Sequence, residues 1–172
     1  RCAVAFALAP ALSWPSSAVS ETLTWIAIEN SLFASASSWS PPVVPGVLDR
    51  TIIDVQTGVT VLLADVGQAS PVDRLVLGGN PRLRFLLLGV SPAPLTLLSE
   101  SLFEPSLTIG TDDTLDSILW TGHGRIDGVH ASVGHVASSV SSWELSGALD
   151  IELSGSLAVG RLGAAVVSME GE

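Results

Sequence analysis

The sequence predicts a mainly β fold, in the form of an antiparallel sandwich, a jelly roll or a barrel, with at most one or two short helices. Two observations lead to this prediction. Apolar and polar residues alternate with a period of two through Glu144–Val167, where Gly147, Gly155 and Gly163 recur at eight-residue intervals. Elsewhere, short apolar runs are separated by clusters of Gly, Pro and Ser, and long helical periodicity does not occur.

The stretch Glu144–Val167 is too long to be one straight strand. At about 3.3 Å per residue it would span about 80 Å, which exceeds the size of a domain of this length. We therefore interpret Gly147, Gly155 and Gly163 as bulges or corners at which the ribbon bends. The segment is expected to supply the two or three closing strands of a β-domain, with Trp143 on its buried face.

The chain is predicted to contain an apolar N-terminal arm and first strand over residues 1–40, and a β-domain over residues 47–172. A Ser- and Pro-rich linker is expected around residues 34–46. Residues 1–20 have the basic start and apolar run of a signal peptide, but we expect them to form an ordered arm that packs on an apolar surface.

Two shorter patterns predict local structure. The sequence Gly78-Gly79-Asn80-Pro81 stands between two apolar runs and predicts a hairpin. Thr111 or Asp112 is expected to cap a helix of two or three turns that ends before Gly122.

The composition limits the chemistry that the chain can perform. All seven basic residues are Arg, so a P-loop, a Schiff-base nucleophile and a Ser–Lys catalytic pair are excluded. The net charge is −10 and no basic cluster occurs, which argues against a nucleic-acid partner. Cys2 is the single cysteine, so no internal disulfide can form, and no apolar run is long enough for a helical membrane span.

A weak metal-site pattern occurs where acidic residues are followed by imidazoles. The candidate ligands are Asp112, Asp113, Asp116 and His123, with His130 and His135 further on. Carboxylates alone would suit calcium or magnesium, and added imidazoles would suit zinc or manganese. We favour the alternative in which the aspartates cap a helix and the histidines lie in Gly-rich loops. No metal, cofactor or catalytic residue is therefore assigned.

A serine hydrolase is also disfavoured. The sequence HASVG around Ser132 has the outline of a nucleophile elbow, but His130 replaces the first glycine that permits the strained turn. No alternation of strands and helices surrounds it.

Four side chains are candidates for contact with a ligand or another subunit. Trp14 precedes a proline and Trp39 lies between serines, so both are candidates for exposure. Their rings could stack on a sugar, and burial against a neighbouring subunit explains them equally well. Arg82 and Arg84 alternate with apolar residues, which places both guanidinium groups on one strand face. They would form an anion site or, as we favour, protect an edge strand from unwanted pairing.

The sequence favours a non-enzymatic structural protein that assembles with copies of itself or with other protein subunits, as in a virion, a tail-like particle or a surface layer. Only 14% of residues are charged and 47% are hydrophobic, which predicts apolar surface buried against other chains. The alternative is a secreted or surface β-module that binds carbohydrate or a protein ligand. A second alternative is a metal-dependent enzyme that uses the region Asp112–His135.

Overall fold

The computed structural model describes residues 20–56, 58–64, 71–86, 95–110, 115–122, 124–135, 140–147, 149–160 and 162–170. These residues form strands and connecting corners, with one 3-10 turn at Ala36–Ser38 and no α-helix among them. The strands are β1 (Thr22–Trp25), β2 (Ser31–Leu32), β3 (Trp39–Ser40), β4 (Arg50–Val55), β5 (Thr60–Ala64), β6 (Arg74–Gly79), β7 (Arg82–Leu86), β8 (Leu95–Thr96), β9 (Leu107–Ile109), β10 (Leu115–Gly122), β11 (Gly124–Val133), β12 (Val140–Ser146), β13 (Leu149–Val159) and β14 (Ala164–Glu170).

The strands belong to two sheets. Sheet 1 has the order β13-β11-β9-β6-β4-β1-β3, with β8 also paired to β11, and sheet 2 has the order β14-β12-β10-β7-β5-β2. All pairings are parallel except that of β1 with β3. From β4 onward the chain alternates between sheet 1 and sheet 2, except that β8 and β9 follow each other within sheet 1, and each pass adds one coil. This arrangement is a β-solenoid.

The mainly β prediction is confirmed, but the predicted antiparallel sandwich, jelly roll or barrel is wrong. Alternation of apolar and polar residues shows that one strand face is buried, which is more usual in antiparallel sheets. The parallel sheets of this solenoid also have one face towards solvent and so give the same pattern. The helix expected after Asp112 is also wrong, since Leu115–Gly122 is strand β10. The expected hairpin at Gly78–Pro81 is instead a corner, because β6 and β7 belong to different sheets.

Glycines in left-handed conformation form the corners. Every described residue with positive φ is a glycine at or just beyond a strand end: Gly79, Gly110, Gly122, Gly134, Gly147 and Gly160. Gly147 has φ of +104°, and a Cβ atom there would lie 2.5 Å from the carbonyl oxygen of Gly122, the corner of the preceding coil. Corner glycines therefore let successive coils stack closely.

The interpretation of the repeating glycines as bulges or corners holds for all three. Gly163 lies in the bend between β13 and β14. Gly147 is a corner between β12 and β13. Gly155 lies in β13 where the register with β11 shifts, since Gly128 aligns with Leu153 but His130 aligns with Ser156. One extra residue of β13 is accommodated there, which is a β-bulge.

The core consists of columns of side chains that point into the solenoid from successive coils. One column in sheet 1 runs Leu23, Thr51, Leu75, Leu107, Ala131 and Leu157. A column in sheet 2 runs Val61, Leu83, Trp120, Leu145 and Met169. Trp143 is 1% exposed and packs edge-on against Trp120, which confirms its predicted burial.

An aromatic cluster covers the N-terminal end of these columns. Trp39 contacts Trp25 and Phe33 edge-on, with ring centroids 5.1 Å apart in both pairs. Its indole Nε1 donates a hydrogen bond of 2.7 Å to the carbonyl oxygen of Phe33. All three rings are buried and belong to the core cluster. We call Trp25, Phe33 and Trp39 the aromatic cap.

Candidate functional site

The C-terminal coil differs from the others because its inward side chains have no cover within the described residues. Leu157 and Val159 align with the buried Ala131 and Val133, yet they are 44% and 47% exposed. Met169 aligns with the buried Leu145 and is 71% exposed. The strands β13 and β14 also end their sheets, so each has one edge without a partner strand in the described structure. We call β13 and β14 together the open coil.

The open coil has few of the features that protect a sheet edge. Its strands are 11 and 7 residues long and contain no proline. The charged residues of the open coil lie near its ends: Asp150 and Glu152 at the start of β13, and Glu170 at the end of β14. The edge is therefore long, largely uncharged and apolar, which is the character of a strand that pairs with another chain.

Arg82 and Arg84 are both exposed on the outer face of sheet 2, as the sequence predicts. Their strand, however, is not an edge strand: β7 lies between β5 and β10, so the predicted role in edge protection is wrong. The residues aligned with the two arginines in these neighbours are uncharged: Thr60, Leu62, Leu119 and Thr121. A groove with a volume of about 500 Å³ lies on this face and is lined by both arginines.

A second groove lies on the outer face of sheet 1, with a volume of about 330 Å³. Its charged and polar lining residues are Arg50, Arg74, Glu104, Thr108 and His135, and Phe103 forms part of its wall. Arg50 and Arg74 are direct neighbours across β4 and β6. The connection between β8 and β9 crosses this face, and Glu104 in that connection pairs with Arg74 at 2.5 Å. We call this the arginine groove.

The positive charge of Arg74 is balanced by two carboxylates within the groove. Its Nε is 2.7 Å from the carboxylate of Asp73, and Glu104 holds its Nη1. The hydrogen bond to Asp73 raises the pKa of Arg74, against the smaller opposing effect of burial, and Glu104 raises it further. Arg74 therefore remains charged and is held in place by its two carboxylates.

The other candidate residues have varied outcomes. The expected exposure of Trp39 is wrong, because the side chain is completely buried in the aromatic cap. This removes Trp39 from any sugar-stacking surface of the chain. Trp14, Asp112, Asp113 and His123 lie outside the described residues, as does the side chain of Asp116.

The two described histidines are held by serines. Nδ1 of His130 accepts a hydrogen bond of 3.1 Å from the main-chain N–H of Ser156. Nδ1 of His135 is 3.2 Å from the hydroxyl of Ser132, which is 1% exposed. Ser132 thus has a histidine neighbour, but its burial leaves no access for a substrate. Within the described part of the chain, no three His, Cys, Asp or Glu residues are grouped so that they could hold a metal ion.

Comparison with known proteins finds no matching family model, no matching curated protein and no matching solved structure. Among the described residues, no helix has the length and apolarity needed to cross a lipid bilayer. The geometry of the chain itself is therefore the basis for a functional proposal.

Proposed function

We propose that the protein is a non-enzymatic structural component of a larger assembly, and that it makes its subunit contact through the open coil. The observation that supports this is the exposure of Leu157, Val159 and Met169 in columns whose other members are buried. A second subunit placed on the open coil would continue these columns and satisfy the free strand edges, as each coil does for the one before it.

The favoured partner is a second copy of the same chain, bound tail to tail. The opposite end of the solenoid is unsuited to continued parallel stacking. There the sheets end in the two-residue strands β2 and β3, and β3 is antiparallel and is followed by Pro41 and Pro42. Proline and very short strands block edge pairing. A capped end and an open end therefore favour a closed dimer over a fibre.

The size of the open coil fits a stable dimer contact. A strand of 11 residues is about 36 Å long, and two sheets about 10 Å apart with their outer side chains are about 20 Å thick. The end face is therefore about 700 Å² per copy, close to the roughly 800 Å² per partner of a standard protein interface.

The charge distribution also suits pairing between two copies. Asp150 and Glu152 occupy the first half of β13, and the second half, from Leu153 to Val159, is uncharged. Antiparallel pairing of two β13 strands about their uncharged halves keeps the acidic residues of the two copies apart. Like charges directly opposite each other would be destabilising, so this register is favoured over a fully overlapped one.

Sedimentation velocity of the whole chain over a range of concentrations tests the proposal. We expect a dimer at tens of micromolar, because an interface of this size commonly gives affinities in or below that range. Leu157→Lys and Met169→Lys should each shift the protein to monomer, since a charge would then be buried at the contact.

Ile28→Lys is the matched control. Ile28 is 87% exposed near the capped end, so the same added charge should leave the dimer intact. A wild-type monomer at about 100 µM, or equal dissociation by all three substitutions, would contradict the proposal.

A further inference from the structure

The chain contains the same Asp-Arg dipeptide in two successive coils, and the two copies are used differently. Arg50 begins β4 and Arg74 begins β6, each directly after its aspartate, Asp49 or Asp73, and the two arginines are aligned across the sheet. In the second copy the aspartate binds its own arginine. The first copy offers a direct comparison, because its backbone position is equivalent.

In the first copy the aspartate is engaged elsewhere. One carboxylate oxygen of Asp49 accepts a hydrogen bond of 2.8 Å from the main-chain N–H of Gly46, and the other accepts one of 3.1 Å from Glu21. Arg50 is thereby left without the carboxylate that Arg74 has. Its Nε is buried, and no described residue accepts a hydrogen bond from it.

A buried guanidinium nitrogen without an acceptor is costly, and native structures seldom leave one in that state. Among the described residues, the acidic side chains beside Arg50 do not supply the acceptor. Asp49 is bound to main-chain N–H groups, and Asp73 and Glu104 are bound to Arg74. The described residues of the arginine groove thus supply two aligned cations and two carboxylates, and both carboxylates bind Arg74.

We propose that the arginine groove binds an oxyanion, either a carboxylate or a phosphate, carried on a small organic ligand, with Arg50 as its principal cation. A planar guanidinium is suited to two parallel hydrogen bonds with either group. Thr108 and His135 line the same groove and offer further polar contacts. The site lies on the outer face of sheet 1, so this proposal stands apart from the assembly proposal for the open coil.

The groove is larger than a free ion requires. Its volume of about 330 Å³ lies at the lower limit of pockets that hold small organic molecules. Phe103 lines it with a ring that is 82% exposed, although a large apolar side chain ordinarily avoids water. We assign this ring to the organic part of the ligand and Arg50 to its charged end.

Isothermal titration of the whole chain with inorganic phosphate tests the charged end of the site. We expect saturable binding to the wild type and a loss of affinity of about tenfold or more in Arg50→Gln. Arg125→Gln is the matched control, because it removes the same charge from an exposed arginine that is already paired with Asp127 and Glu152. Absence of saturable phosphate binding to the wild type, or equal weakening in both variants, would overturn the proposal.

A second variant tests the site by a gain of affinity, which misfolding cannot produce. Glu104→Gln removes one of the two charges that neutralise Arg74, and the Glu104 side chain is 61% exposed, so the fold should tolerate the change. Phosphate should then bind several-fold more tightly. Glu144→Gln makes the same charge change on sheet 2 and should leave the affinity unaltered. Unchanged phosphate affinity in Glu104→Gln would count against the site.

Titrations with acetate and benzoate distinguish the ligand classes. If a carboxylate is the natural group, acetate should bind at least as tightly as phosphate; if phosphate is preferred, the order should reverse. Benzoate should bind several-fold more tightly than acetate, because its ring can pack on Phe103. This advantage should disappear in Phe103→Ala. Equal binding of acetate and benzoate to the wild type would contradict the assignment of an organic ligand.

Discussion

The first and last coils of the solenoid differ in how far their inward side chains are exposed to solvent. Leu23 and Leu157 stand at the two ends of one inward column, yet Leu23 is fully buried and Leu157 is 44% exposed. The residue type and the strand position are equivalent, so the difference comes from what covers each coil. Leu23 lies in one buried core cluster with the aromatic cap, whereas no described residue covers Leu157 in the last coil. Within the described residues, the open coil is therefore left uncovered, which is why we propose the subunit contact there.

The largest expected effect concerns the aromatic cap. Trp39→Ala should destabilise the protein by about 4 kcal/mol, because it leaves a large cavity between Trp25 and Phe33 and removes a buried hydrogen bond. The midpoint of chemical denaturation measures this loss. Phe103→Ala, which removes an exposed aromatic ring, should cost less than about 0.5 kcal/mol. Similar losses in both variants would show that the cap does not stabilise the first coil.

A matched pair of leucine substitutions tests the comparison of the two ends directly. Leu23→Ala should cost about 3 kcal/mol, in the range of buried leucine truncations, and Leu157→Ala about 1 kcal/mol or less. Both values are measured by denaturation at concentrations low enough to keep the protein monomeric. Equal costs would mean that Leu23 and Leu157 are equally covered, and the last coil could then no longer be called open.

The corner at Gly147 gives a smaller effect next to the open coil. Gly147→Ala should cost about 2 kcal/mol, because alanine is strained at φ of +104° and its Cβ would press against the carbonyl oxygen of Gly122. Thermal unfolding measures the change. Gly58→Ala at another corner meets Arg82 only at an ordinary distance of 3.7 Å and should be nearly neutral. A neutral Gly147→Ala would exclude close stacking of the corners.

The smallest effect is expected where a surface ion pair ties the open coil to the coil before it. Arg125 in β11 binds Asp127 at 2.6 Å and Glu152 of β13 at 2.5 Å. Arg125→Gln should lower the unfolding temperature slightly at low salt and not at about 1 M salt, where such pairs are screened. Arg84→Gln, at an exposed position outside these ion pairs, is the control. A loss that persists in high salt would point to packing and not to charge.

The pKa of Arg125 decides how the stability from this ion pair depends on pH. The hydrogen bond to Asp127 raises the pKa of Arg125 above its ordinary value. A raised pKa gives stability that is complete below the ordinary pKa and is lost only as the pH rises through the raised one. Deprotonation of Arg125 should therefore make no contribution to the change in stability between pH 6 and pH 9, as thermal unfolding in buffers of constant ionic strength would show.

The β character was predictable because burial of alternate residues leaves a pattern in the sequence. The direction of the strands left none of comparable strength, because parallel and antiparallel strands can bury the same face. The eight-residue spacing of Gly147 and Gly155 also obscured the real repeat. The structural counterpart of Gly147 is Gly122, the corner one coil earlier, and not Gly155.

The sequence also contains a repeat of one coil length, which the pattern of alternation does not reveal. The segments Leu48–Val55 and Val72–Gly79 read LDRTIIDV and VDRLVLGG, and the structure aligns Arg50 with Arg74. This similarity would have indicated both a stacked repeat and a pair of neighbouring arginines. The burial of Trp39 was not predictable from its serine neighbours, because its cover comes from Phe33 and Trp25 through contacts made only in the folded chain.

The aromatic cap also gives the molecule a direction for folding during synthesis. Trp25, Phe33 and Trp39 all precede β4, so the closed end is translated before the stacked coils that follow it. Each later coil then leaves the ribosome beside an edge that is already formed, and its parallel pairing requires only a nearby template. Parallel pairing of strands that are distant in sequence is ordinarily slow to form. Here each coil pairs with the coil made just before it, so the pairing proceeds in a series of short steps.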